Sequence, residues 1–213
     1  MPEPHEVLAA MTRAEAARAL GRCCGAGRWV EGMLARAPFA STAALLAAAD
    51  QIWDGLTAED HLEAFAHHPR IGADLPPARL GADLPPARLG ADLPPDRPLP
   101  ATGDPVVGPG GTAGGRAAAA GPDLGATAAW ARAEQAGAIE ADADTRDRLR
   151  RGNLAYDARF GYTFIVCATG KSAGDMLALL EARLRNAPDT ELRVAAREQA
   201  QITRLRLLKL ATP

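Results

Sequence analysis

The chain has 213 residues, 47% of them hydrophobic, and its 24 Lys and Arg against 26 Asp and Glu leave a formal net charge of −2. That length supports one core and an appended segment, and the near-balanced charge offers no basic field for a phosphate backbone, so nucleic acid is not an expected partner. No apolar run is long enough to span a bilayer, Met1–Leu20 carries Glu3, Glu6 and Glu15 in place of a signal-peptide core, and the odd set Cys23, Cys24 and Cys167 lacks metal-type spacing, which together predict buried thiols in the cytoplasm.

Thr12-Arg13-Ala14-Glu15 has capping-box form before Ala16, Ala17 and Leu20, and Gly21 supplies a stop, so a short first helix is predicted there. A second runs from about Arg28 to Arg36, with Trp29, Met33 and Leu34 at helical spacing and Pro38 closing it. A third begins after Ser41 or Thr42 and carries Leu45, Leu46, Ala49 and Trp53. The fourth starts at Thr57, a candidate N-cap, and ends at Phe65-Ala66-His67-His68-Pro69-Arg70-Ile71-Gly72. Pro69 cannot continue a helix and pushes His68 out of the helical region, so His68 is expected on a rigid, irregular turn. An imidazole there can act as acid or base near pH 7; the plainer reading is a solvated or capping ring at a helix end.

The nonapeptide Gly-Ala-Asp-Leu-Pro-Pro-Ala-Arg-Leu occurs at Gly72–Leu80, repeats at Gly81–Leu89 and starts again at Gly90. Nine residues with paired prolines cannot build a solenoid face, so this is a tandem duplication and not a repeat fold. Pro94–Gly125 then turns to glycine, alanine and proline. The whole of residues 73–123 reads as a flexible low-complexity insertion in a single domain, 1–213.

Regular structure is predicted to resume near Thr127, with a helix from Trp130 to Gly137 that contains Glu134 and Gln135. A long helix follows from Asp142 to Phe160, bearing Leu149, Asn153, Tyr156 and Phe160 on one side and ending at Gly161 in the left-handed conformation. Tyr162–Ala168 is β-branched and aromatic, hence extended, yet has no second strand to join, so its backbone groups need other partners and a polar ligand is one candidate. Ala168-Thr169-Gly170-Lys171-Ser172 resembles the end of a phosphate-binding loop but lacks the upstream glycine, Ile165 standing there; it reads better as a helix start with Ser172 as N-cap and Asp175 in support. The last helix spans about Thr190 to Leu210. Its row Leu192, Ala195, Gln199, Ile202, Arg206 puts an arginine in line with core residues, whereas a slightly rotated face substitutes Leu205 and leaves Arg206 in water.

Four blocks in this order resemble the 2-oxo-4-hydroxy-4-carboxy-5-ureidoimidazoline (OHCU) decarboxylases of urate degradation: Ala66–Gly72; Glu134–Gly137; Tyr156–Ser172; and Glu191-Leu192 with Glu198-Gln199, Ile202 and Leu205-Arg206-Leu207. The likeness covers about Leu8–Gly72 and Thr127–Leu210. It implies an all-α, single-domain multi-helix bundle with one short extended segment, a homodimer, that converts OHCU to (S)-allantoin and carbon dioxide without metal or organic cofactor. Carried over by position, His68 is the acid/base residue, Glu134 fixes the imidazole, Gln135 binds ureido or ring amide groups, and Arg206 holds a carboxylate. Pro69 lines the pocket, and backbone groups of Phe164, Ile165, Val166, Cys167 and Ala168 contact the substrate. Ala131 stands where the family tends to have a serine, so one hydroxyl contact is missing or supplied by water. The insertion lengthens the linker between the histidine and glutamate blocks, which by loop-closure entropy costs only about 1 to 2 kcal/mol. A second reading, from another class, is a non-catalytic helical module that binds a partner through the proline-rich insertion. A third, hydrolysis of a ureido compound, would want a metal or nucleophile cluster that His5, His61, His67 and His68 do not form at recognised spacing.

Overall fold

A computed structural model of the chain describes residues 1–69 and 142–211, which form eight helices: α1 (Pro4–Ala9), α2 (Arg13–Cys23), α3 (Gly27–Arg36), α4 (Thr42–Asp54), α5 (Ala58–Ala66), α6 (Ala143–Phe160), α7 (Ala173–Arg183) and α8 (Pro188–Lys209). The insertion at 73–123 and the helix expected over Trp130–Gly137, with Ala131, Glu134 and Gln135, lie outside the described residues. Among the described residues there is no strand, and the fold is all-α.

The helix ends follow local chemistry. Thr12 with Glu15, Thr57 with Asp60 and Ser172 with Asp175 each form a reciprocal capping box, satisfying N-terminal amides that the helix itself leaves open. α6 stops at Gly161 with φ +78°, as its position predicts. Three boundaries differ from the sequence expectation. α1 was not foreseen; it starts with Pro4 at its first turn and a Glu3–Glu6 box. Gly21 does not stop α2, which continues to Cys23 because an interior glycine costs a helix only about 1 kcal/mol and Cys23 is buried in the core. α8 begins at Pro188, two residues earlier than expected, since proline is well suited to a helix's first position.

Two apolar clusters hold these helices. The larger gathers α1–α5 and α8 around fully buried Leu20, Trp29, Met33, Leu45 and Phe65. Two indoles tie it across elements: Trp29 Nε1 donates to the Ala49 carbonyl at 3.1 Å, and Trp53 Nε1 donates to that of Ala196 at 3.1 Å, so α4 is fastened to both α3 and α8. The smaller cluster packs α6 on α7 through Leu149, Tyr156, Met176, Leu177 and Leu180. These helices lie close at Gly152, where a Cβ would fall 2.6 Å from Leu180 Cδ2.

Tyr162–Ala168 runs extended between the clusters without joining a sheet. Its side chains alternate: Ile165 and Cys167 enter the larger cluster, while Phe164, Val166 and Ala168 enter the smaller. Its backbone is satisfied by side chains instead of strands. Arg183 Nη1 donates to the Ile165 carbonyl at 2.8 Å, Glu198 accepts from the Cys167 N–H at 2.7 Å, and Lys171 Nζ donates to the Cys167 carbonyl at 2.6 Å.

Arg183 is itself held in a buried network. Its Nε donates to Glu191 Oε1 at 2.8 Å, Asn186 donates to Glu191 Oε2 at 2.7 Å, the Tyr156 hydroxyl donates to Glu191, and the guanidinium lies 4.7 Å from the Phe164 ring centre. Glu191 is wholly shielded from solvent. Deleting one member of such a pair strands the other charge in the interior. Glu191→Ala is therefore expected to destabilise the fold by about 3 to 5 kcal/mol, read as a fall in the urea midpoint at unchanged slope.

Candidate active site

α5 brings His68 to its place, and α5 is positioned by carboxylates. Glu63 accepts from the N–H of Gly27, the first residue of α3, at 3.2 Å, and Asp60 pairs with Arg28 at 3.1 Å. Glu63 thus sits at the N-terminus of α3, where the helix dipole favours negative charge. The helix then tightens and ends: His67 N–H donates to Ala64 and His68 N–H to Phe65, three-residue spacings that close the last turn before Pro69. His68 occupies the irregular turn expected of it. Buried Phe65 packs on Tyr162 with ring centres 5.3 Å apart, tying the end of α5 to the extended segment.

α8 supplies the other half. Arg206, Gln199 and Thr203 are buried on one side of it, so the face that keeps Arg206 in line with the core is the one adopted and Leu205 is only half-buried. Arg206 is 1% exposed, and its Nη1 donates to the Arg22 carbonyl at 3.4 Å. Gln199 Nε2 donates to Thr203 at 3.2 Å.

His68 is half-buried and opens onto a hollow of about 420 Å³, walled by Leu62, Phe65, Ala66, Pro69 and Gly161–Thr163. Burial first, and the Arg206 guanidinium second, bring its pKa down from 6.5 to about 3. Gln199 works in the opposite sense and His67 adds a smaller push down. Gln199 Oε1 makes no well-formed hydrogen bond among the described residues. At pH 7 His68 is consequently a neutral imidazole facing a fixed cation.

The extended segment offers fewer free backbone groups than the sequence suggests. The Ile165 carbonyl and both Cys167 groups are engaged as described, and the Ala168 carbonyl accepts from Lys171 N–H at 3.0 Å. Among the described residues the N–H groups of Phe164, Ile165, Val166 and Ala168 carry no hydrogen bond, and none of these residues walls the hollow. The Thr163 hydroxyl, on the hollow's wall, is likewise without a partner. Burial pushes the Cys24 thiol up to about 12, which removes it as a nucleophile at neutral pH. Among the described residues no group of three His, Cys, Asp or Glu converges as a metal site, and none of the described helices is long and apolar enough to cross a membrane.

His68, Pro69, Arg206 and the segment Phe164–Ala168 are thus within the described residues; the charge of Arg206 is felt at His68, but of these residues only His68 and Pro69 wall the hollow, and Ala131, Glu134 and Gln135 are not among the described residues. Gln199 received no role from sequence alone, although it stands seven residues before Arg206 and so two turns away on the same face. Lys171, Arg183 and Glu198, which hold the extended segment, were also missed.

The family model for OHCU decarboxylase matches residues 9–84 and 115–208, reaching further into the insertion from both sides than the four sequence blocks. The Arabidopsis thaliana uric acid degradation bifunctional protein TTL is 28% identical over 189 residues, 88% of this chain and 45% of that protein. The 2-oxo-4-hydroxy-4-carboxy-5-ureidoimidazoline decarboxylase of Amia calva is 38% identical over 107 residues, 48% of this chain and 61% of its own length. The Mus musculus protein of the same name is 38% identical over 76 residues, 36% and 43% respectively. The chain therefore spans about half the length of the curated relatives it matches. Of solved structures, the crystal structure of OHCU decarboxylase in the presence of (S)-allantoin is similar with a TM-score of 0.59 at 25% identity, covering 91% of this chain and 96% of that one. The crystal structure of (S)-allantoin synthase shares the fold, with a TM-score of 0.57 at 17% identity over 98% of this chain and 54% of the other. With the family model matched over well more than half of its residues, this chain belongs to the OHCU decarboxylase family.

Proposed function

We propose that the chain decarboxylates OHCU to (S)-allantoin and carbon dioxide, as a cytoplasmic homodimer and without a cofactor. The observation that carries this reading is the neutral His68 imidazole on its turn before Pro69, opening onto the hollow, with the buried Arg206 cation near enough for its charge to bear on the ring. Arg206 receives the substrate carboxylate in the bidentate manner that a guanidinium permits. Cleavage of the C–C bond releases carbon dioxide, and the electron pair moves into the ring, where the adjacent C=N accepts it. The substrate thus contains the electron sink that an organic cofactor provides elsewhere.

What remains for the protein is proton traffic and charge stabilisation. His68, neutral at the outset, accepts the ring hydroxyl proton and returns a proton to one face of the carbon that bears the ureido group, while the ring nitrogen that received the electron pair takes up from solvent the one further proton that loss of carbon dioxide from a carboxylate consumes. An anion seated against Arg206 offsets the cation that depresses His68, so the imidazole becomes easier to protonate once substrate is bound. Glu134 would hold the imidazolium, Gln135 the ureido or ring amide, and the free N–H groups of Phe164–Ala168 would supply donors to ring oxygens. Ala131 leaves the family's serine contact to water. Three buried thiols with no disulfide between them fit a reducing compartment.

His68→Ala is expected to abolish the accelerated formation of optically active allantoin from freshly made OHCU while the helical circular dichroism stays intact; identical rates for variant, wild type and buffer would refute the assignment. The acid side of the pH profile gives an independent check. A free-enzyme base with a pKa near 3 predicts that kcat/KM shows no inflection at the ordinary histidine value of 6.5, whereas Arg206→Met, by removing the neighbouring cation, moves the inflection upward. Stability follows the same protonation. Between pH 6.5 and about 3 the unfolded chain binds a proton at His68 that the native state refuses, so native stability falls as pH drops through that window. The capping carboxylates Glu15, Asp60, Asp142 and Asp175, all held below their ordinary range by cap hydrogen bonds, lose stability in acid too. Comparison of Tm against pH for wild type and His68→Gln isolates the histidine: the variant should show the shallower decline over the upper part of that window.

A further inference from the structure

The short loop between α2 and α3, Cys24-Gly25-Ala26, touches both halves of the site. The carbonyl of Arg22, just before it, accepts from Arg206, and the Cys24 thiol lies beside Thr203. Gly25 faces the other way, onto His67. A Cβ built on Gly25 would fall 2.2 Å from His67 Nδ1, 2.4 Å from its Cγ and 2.8 Å from its Cβ, approaches that real Cβ atoms do not make. None of these is the tip of a long side chain that could swing away. The His67 Cβ is fixed by the backbone, and Nδ1 is tied to the Glu63 carbonyl at 2.9 Å.

Glycine is not required here for its backbone freedom. Gly161 and Gly170 have positive φ, whereas Gly25 adopts a conformation open to any residue. Close approach is therefore what selects it. Any side chain at position 25 must displace His67, and because α5 is pinned upstream by Glu63 to Gly27 and Asp60 to Arg28, the displacement falls on the turn that carries His68.

We propose that Gly25 is a positioning residue for His68: lacking a side chain, it seats the His67 ring on the α2–α3 loop, and the loop, which leaves the end of α2 whose Arg22 carbonyl accepts from Arg206, thereby sets where the neighbouring imidazole stands. This rests on the decarboxylase reading of His68, so the test includes a measurement that uses no substrate. Gly25→Ala, His67→Gly and the double variant are compared in the full chain, by kcat and KM for freshly made OHCU and by the NMR titration of the His68 imidazole. Glycine is chosen at position 67 because alanine would keep the Cβ that lies 2.8 Å away.

Gly25→Ala is expected to lower kcat about tenfold to a hundredfold with KM little changed, and to shift the His68 titration upward as the ring moves from Arg206. The double variant should recover both to the level of His67→Gly alone. A loss of packing without positioning would leave the double variant as impaired as Gly25→Ala, and that result overturns the proposal, as does a Gly25→Ala protein with wild-type kcat and titration. Should Gly25→Ala fail to fold, a double variant that folds with a restored titration supports the seat, and one that also fails refutes it. Absence of decarboxylation by wild type would defeat the functional assignment alone, because the titration still reports on Gly25.

Discussion

The segment Tyr162–Ala168 is too apolar to remain in water, yet its amides and carbonyls need partners once it is buried and no strand is present among the described residues to supply them. Long polar side chains reaching in from α7, α8 and the turn before α7 resolve that conflict. Arg183 takes one carbonyl, Glu198 one amide and Lys171 another carbonyl, and Arg183 is in turn held by a fully shielded Glu191. A buried charge pair is a poor source of net stability compared with an apolar replacement. Its use here is geometric, because it holds an irregular backbone at a defined place between two clusters.

The site depends on an opposition of a different kind. Cations are ordinarily placed away from histidines that must accept protons, but here burial and Arg206 act together to keep His68 neutral. The arrangement suits a reaction that begins with an anion. Under the proposed function, a substrate carboxylate would change the electrostatic surroundings of the imidazole on binding, so that its protonation would follow occupancy.

Much of this could be read from residue types because the signals were local. The capping boxes of α2, α5 and α7, the glycine terminator after Phe160 and the proline after His68 act within a turn of the residues they control. The Gln199 to Arg206 row on α8 needed only the helical period, although spacing alone left a rotated face equally open and burial decided between them. α1 was overlooked because six residues carry too little periodicity, even though Glu3-Pro4 followed by Glu6 is a recognisable start. The Arg183–Glu191 pair was invisible for a deeper reason: its members stand on different helices, joined only after the chain folds back, and their common target is a main-chain carbonyl with no sequence signature. Gly25 escaped notice in the same way, since its neighbour His67 comes from α5.

The alternation along Phe164–Ala168, with neighbours facing opposite clusters, has an evolutionary corollary. A ribbon of this kind tolerates conservative exchange of one side chain for another but not a change in residue count. Insertion or loss of a single codon would slip the register, turning Ile165 and Cys167 toward the space shaped for Phe164 and Val166 and detaching the carbonyl that Arg183 holds. Length variation between Gly161 and Lys171 should accordingly be purged, while the stretch between the histidine and glutamate blocks is free to grow by repeats.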